Sequence, residues 1–171
     1  MLDQNEIFEQ LRIPGGLSPV RYISGFYALN LPAPEGTSGD WHFFGTFYRK
    51  SGKSGDVLLA GEGEQINTNA ILSDYGIYRC DKALERRGLI AEKPAYAANH
   101  FRAILDLLYE QIKEKRTPSN LFGASEDFLD TEDEKRLLIE KASHMLLSLE
   151  SDEQMLMLQW INHERKTGYR G

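Results

Sequence analysis

The sequence predicts an α+β fold: a small antiparallel sheet from the N-terminal third packed against helices, with a C-terminal helical hairpin. Three observations carry this. The first third sets aromatic and β-branched runs such as RYISGFYALNL between Pro/Gly/Ser-rich breaks, the habit of short strands. From Ala97 onward apolar residues recur instead at helical spacing. Near the C-terminus two such helical patterns meet at Glu150 and Ser151 with almost no connection, which makes them antiparallel neighbours.

Composition sets the outer bounds. The 171 residues suit one domain, or one domain with a small helical appendage. A hydrophobic fraction of 41%, with 11% aromatic residues, is ample for a packed core and excludes a disordered chain. The net charge of −6 argues against a surface that grips nucleic acid throughout, while leaving room for a local basic patch. Cys80 is the single cysteine, so no internal disulfide or cysteine-built metal site is expected, and a lone thiol fits a reducing compartment. MLDQNEIFEQLR has no basic stretch followed by an apolar core, so it does not read as a secretory signal. No apolar run approaches the roughly 20 residues of a membrane span. The expectation is a cytoplasmic protein with no membrane contact and no cofactor.

The elements follow in order. Ile7, Phe8 and Leu11 form a stripe that predicts a short helix over 3–12, capped by Asp3 and stopped at Pro14-Gly15-Gly16. RYISGFYALNL is expected to be a strand, PAPEGTSGD a loop, and WHFFGTFYRK and VLLAGEG the two arms of a hairpin turning at SGKSGD. Helices are expected over 97–116, over 131–149 with a Thr131/Glu134 capping box, and over 151–166 with a Ser151/Gln154 box. Six acidic residues fall between Glu126 and Glu134. Together with a proline and a glycine just upstream, they mark 119–134 as an acidic linker between a core (1–118) and the C-terminal hairpin (135–171).

SGKSGD contains Gly-Lys-Ser, the ending of a phosphate-binding loop. The full pattern needs a glycine five residues before Gly52, where Phe47 stands, and a helix after the loop, where a β-favouring run follows. The stretch reads as a solvated turn.

Four groups of residues invite a functional reading. NTNAILSDYGIYRCDKALERRGLIAEK resembles the helix–turn–helix of winged-helix regulators over about 25 residues of the chain. That resemblance implies a DNA-reading helix carrying Arg79, Lys82, Arg86 and Arg87. The alternative is an amphipathic helix that ends at Gly88 with cations near its C-terminus, where they suit the helix dipole. In SGDWH, Asp40 and His42 would share one strand face and Trp41 the other, an Asp–His pair of the kind acid–base chemistry uses. In ANHFRAILD, His100 falls on the apolar side of the helix, while Arg102 and Asp106 sit one turn apart and can pair. With Asp40 and His42, His100 would complete a hydrolase-like site. Asn67, Asn69, Asp74, Tyr75, Tyr78 and Arg102, with Trp41, are candidate binding residues between strand and helix, where sites commonly sit. No histidine spacing suggests a metal.

The last two helices carry apolar residues around most of their circumference, as in MLMLQWI. Two short helices cannot bury that surface against each other alone, so they need the core, another protein or a second copy of the chain. Absent catalytic spacing plus this apolar surplus favours a protein-binding or regulatory module. The neutralising, antitoxin- or immunity-like partner of another protein is one form it would take. The DNA-binding regulator and the hydrolase are the alternatives.

Overall fold

Side chains alternate across a strand, and the central sheet uses both of its faces to divide the core in two. The computed structural model describes residues 7–40, 45–52 and 55–167. Strands β1 (Phe8–Gln10) and β3 (Tyr48–Lys50) pair antiparallel as a two-stranded ribbon. The larger sheet has the order β4 (Leu59–Gly61), β2 (Arg21–Ile23), β6 (Tyr96–Ala98), β5 (Ile77–Arg79). Its pairs are antiparallel except β2 and β6, which run parallel with Ile23 opposite Ala97. Tyr22, Ala60, Ala98 and Ile77 face one hydrophobic cluster; Ile23, Leu59, Ala97 and Tyr78 face the other.

The first cluster is the larger, and α4 (His100–Glu110) runs through it. Every residue of α4 from His100 to Leu108 is buried, so this helix is covered on all sides. Asn99 caps it by accepting from the Arg102 amide at 2.9 Å. A π-helical turn (Gln111–Lys115) extends α4 and ends at Arg116, which adopts a left-handed conformation with φ of 56°. Helices α6 (Glu132–Met145) and α7 (Ser151–Lys166) form the hairpin and bury Leu138, Ala142, Met145, Met157, Trp160 and Ile161 in this cluster. Thr131 and Glu134 form the expected box on α6. On α7 the box is Glu150 with Glu153, one residue earlier than the Ser151/Gln154 spacing suggested. The short helices α1 (Gly25–Leu29), α2 (Asn69–Leu72), α3 (Asp81–Arg86) and α5 (Ala124–Phe128) fill the connections.

The N-terminal third departs from expectation in three places. Phe8–Gln10 is strand rather than helix: Ile7 and Phe8 are exposed and only Leu11 is buried, so the apparent helical stripe has nothing to pack on. RYISGFYALNL is strand only to Ile23, because Gly25 turns the chain at a φ of +62° and α1 begins. The arms of the expected hairpin do not pair with each other; β3 pairs with β1, and β4 with β2. Their burial explains this. All of β4 is buried, and it forms an edge of the main sheet beside β2, whereas β3 is largely exposed. The stretch 119–134, expected as a linker, folds into a 3-10 turn (Ser119–Leu121) and α5, with Leu121, Ala124 and Leu129 in the main cluster.

Candidate functional site

The helical spacing of Arg102 and Asp106 does bring them together, but in the interior. Both are 0% exposed, and the guanidinium Nε lies 3.3 Å from Asp106 Oδ1. Arg102 also donates to Thr68 Oγ1 (3.1 Å), Asn69 Oδ1 (3.1 Å), Ser73 O (2.9 Å) and Tyr75 O (2.7 Å). The Asp106 carboxylate accepts from Tyr22 OH at 2.8 Å, Ser24 Oγ at 2.7 Å and Thr68 Oγ1 at 2.6 Å. Burial, then the Asp106 charge, raise the Tyr22 hydroxyl above its usual range. The network ties β2, α2 and the chain before β5 onto α4. Gly76 keeps it closed: at φ +74°, a Cβ there would stand 2.5 Å from Asn99 Oδ1 and 2.8 Å from Arg102 Cβ. Four of the five N–H donors of Arg102 are engaged within the chain and the side chain is 0% exposed, so it presents no open edge to a ligand.

His100 is closed in the same way. Its Nε2 contacts Leu31 O at 2.8 Å and its Nδ1 contacts the Thr37 hydroxyl. A carbonyl only accepts, so Nε2 carries the proton and Nδ1 accepts from Thr37. Burial holds this imidazole below its ordinary pKa, against weaker opposing pulls from Leu31 O and the Glu35 charge. Neither nitrogen is left for proton transfer or a metal. Gly39 packs on the ring, where a Cβ would be 2.6 Å from Cε1. Asp40, next in the chain, donates its amide to Leu29 O at 2.8 Å and lines a separate hollow of about 540 Å³ with Phe26, Tyr27, Asn30 and Arg49. His42 and Trp41 lie outside the described residues.

Of the other expected binding residues, Asn69 and Tyr75 join Arg102 in its network, whereas Asn67, Asp74 and Tyr78 do not. Asn67 Oδ1 accepts from the Asn69 amide at 3.1 Å, and Asn69 Nδ2 donates to Val20 O. Asp74 O accepts from the Ile77 amide. Tyr75 carries the Lys141 ammonium 4.3 Å above its ring, while Tyr78 faces the opposite cluster and donates to Pro32 O at 3.1 Å. The DNA-reading arrangement is not formed. α2 has four residues and α3 six, and strand β5 stands between them where the motif needs a turn. Arg79 pairs with Asp81, and Arg87 donates to Asn30 O at 2.6 Å. Arg86 and Lys82 lie on the short α3. Gly52 is followed, among the described residues, by strand β4 rather than a helix, as the turn reading of SGKSGD requires.

A different surface emerges at α7. Its inner face buries Glu153, Met157, Trp160, Ile161 and Glu164. Trp160 Nε1 donates to Leu121 O at 2.8 Å, and the Glu164 carboxylate accepts from the Gly123 and Ser125 amides, each at 3.0 Å. Burial pushes the Glu153 carboxyl up, but Lys113, the Glu150 amide and Arg116 together hold it below its ordinary value. On the outer face Met155 is 72% exposed and Leu158 43% exposed. They line a hollow of about 560 Å³ with Gln159, Asn162 and Lys166, closed at one side by Phe122 stacked on His163 at 4.1 Å. His163 Nδ1 is held by Glu164 at 3.1 Å. Only the apolar character of α7 all round signalled this face in the sequence; the contribution of Phe122 depends on how 119–134 folds back.

Among the described residues, no group of three or more His, Cys, Asp or Glu side chains is placed to hold a metal, and no helix is long and apolar enough to cross a membrane. Comparison of the chain with protein-family models, curated proteins and solved structures gave no match in any of the three.

Proposed function

We propose that this chain is a protein-binding, regulatory module that acts through the outer face of α7. The observation that carries the reading is that α7 is apolar on two opposite sides. One side is consumed by the core; the other leaves Met155 and Leu158 in solvent around a shaped hollow. Exposed apolar side chains beside a hollow, rimmed by Gln159, Asn162 and Lys166, have the anatomy of an interaction surface. Met155 suits such a surface, since a thioether side chain adapts to what it meets. The buried Arg102–Asp106 network and the satisfied His100 support the reading indirectly, because they hold a scaffold rigid rather than present reactive groups. A neutralising partner of another protein, or an adaptor, fits this description.

The test is affinity capture from the native host with wild-type protein and with Met155→Asp/Leu158→Arg, both checked for folding by circular dichroism. A stoichiometric partner, retained by the wild type and lost by the variant, is the expected result. A partner held equally by both proteins, or none held by either, would sink the reading.

A further inference from the structure

Away from α7, we propose that the hollow beside α1 binds a free α-amino acid with an apolar or aromatic side chain. Much of its wall comes from one short stretch of sequence. Phe26 and Tyr27 precede the C-cap Asn30 by four and three residues, the spacing that brings side chains to one side of a helix. Asp40 and Arg49 join them around a volume of about 540 Å³. Small-molecule sites run from roughly 300 to 1,000 Å³. Both rings are held before any ligand arrives: Phe26 packs edge-on to Phe128 with centroids 6.4 Å apart, and Tyr27 to Phe47 at 5.6 Å. Phe26 is nonetheless 48% exposed, so aromatic surface is left for an apolar body.

The polar atoms match the two charges of such a ligand. Asn30 is the most buried residue of the lining, at 1% exposure. Its Nδ2 donates to Phe26 O at 2.7 Å and its carbonyl accepts from Arg87, but its Oδ1 has no partner. Buried acceptors are rarely left unmade, so a donor entering the hollow meets an unsatisfied oxygen. The Asp40 amide is fixed on Leu29 O at 2.8 Å, while its carboxylate bonds no group among the described residues. An ammonium brings three N–H donors, enough for both oxygens. Arg49 stands at the same hollow but is not paired with Asp40; it donates to Tyr48 O at 3.0 Å and Tyr27 OH at 3.4 Å. Three of its five N–H groups are then left for a carboxylate. Opposite charges that share a hollow without pairing suit a ligand that carries both. A bare amine would meet Arg49 with nothing to offset it, and a bare acid would meet Asp40 in the same way.

Isothermal titration of the purified full-length chain with L-leucine, L-methionine, L-phenylalanine and L-tryptophan tests this. At least one should bind. For the tightest of them, the matched amine lacking the carboxylate and the matched acid lacking the ammonium should each bind at least about tenfold more weakly. Asp40→Asn and Arg49→Gln should each weaken that amino acid by a similar factor while leaving the melting temperature in place. Met155→Asp/Leu158→Arg should bind it as the wild type does, so this site and the α7 face stand or fall separately. No binding by any of the four up to about 10 mM overturns the proposal. So does an amine or acid that binds as well as the amino acid, or an affinity indifferent to either substitution in the hollow.

Discussion

Replacing Asp106 with alanine tests the central claim about the interior. Asp106 is the carboxylate paired with the Arg102 guanidinium, and both are shut off from water. Its removal strands that cation in a low-dielectric setting and takes the acceptor from Tyr22, Ser24 and Thr68. Breaking one side of a buried pair costs about 3–5 kcal/mol, because the surviving charge is uncompensated. The hydroxyls add to this without summing independently, so a loss of at least about 4 kcal/mol is expected. Domains hold only about 5–15 kcal/mol in total, so the variant would stand near the edge of folding. At this chain length the loss lowers the melting temperature by about 8–16 °C. Urea unfolding, followed by circular dichroism and by the fluorescence of buried Trp160, measures it. Arg102→Met/Asp106→Leu should cost less than the sum of its single changes by about 2 kcal/mol or more, the signature of two residues in one network. A loss under about 1 kcal/mol for Asp106→Ala, or strict additivity in the cycle, would refute the account of α4 as a helix held by a buried ion pair.

Two further outcomes follow from buried titratable groups. Since burial holds His100 below its unfolded pKa, neither state binds a proton well above about pH 6.5 and the group then contributes nothing. Below that, the unfolded chain takes up the proton first, so stability falls with pH by up to about 1.4 kcal/mol per unit until the folded pKa is reached. His100→Gln, which keeps one donor and one acceptor, should flatten this slope in urea titrations at neutral and mildly acidic pH; coincident slopes for the two proteins would refute the assignment. Cys80 is fully buried, and burial followed by the Asp81 charge pushes its thiol up to about 12. A thiol reagent at mildly alkaline pH should therefore reach it only through opening of the fold, and faster in Asp106→Ala than in the wild type. Immediate labelling of the wild type would contradict its placement.

The helical half of the fold was legible because α4, α6 and α7 are long and their packing follows one period. The strands were not, because each spans three residues, too few for alternation to separate strand from short helix. Pairing was harder still: nothing in the sequence says that Leu59–Gly61 joins Arg21–Ile23 rather than the nearer Tyr48–Lys50, since that choice rests on which strand is buried on both faces. At the polar core the pairing of Arg102 with Asp106 was readable and its burial was not. A signal was present: from His100 to Tyr109, α4 contains no lysine or glutamate, and its only opposite charges are one turn apart. A solvent-facing stripe would carry more, and more flexible, charges. The αα-hairpin was foreseen together with its apolar surplus, but which surplus remains outside depends on tertiary anchors that no local pattern encodes.

Those anchors decide how the docking face must be probed. Removing the hairpin would remove any contact made by α7, but it would also strip Leu138, Ala142, Met157, Trp160 and Ile161 from a cluster shared with α4. Trp160 would leave the Leu121 carbonyl, Glu153 would leave Lys113 and Arg116, and Glu164 would release the Gly123 and Ser125 amides. A truncated chain that loses a partner would therefore report unfolding as readily as a lost interface. Met155 and Leu158 escape this confusion, because they point away from the residues of α7 that hold it down. Substitutions of exposed residues away from such anchors usually change stability by no more than about 0.5 kcal/mol. A change in association at these two positions, in a chain whose melting temperature stays put, belongs to the outer face of α7 and not to the core behind it.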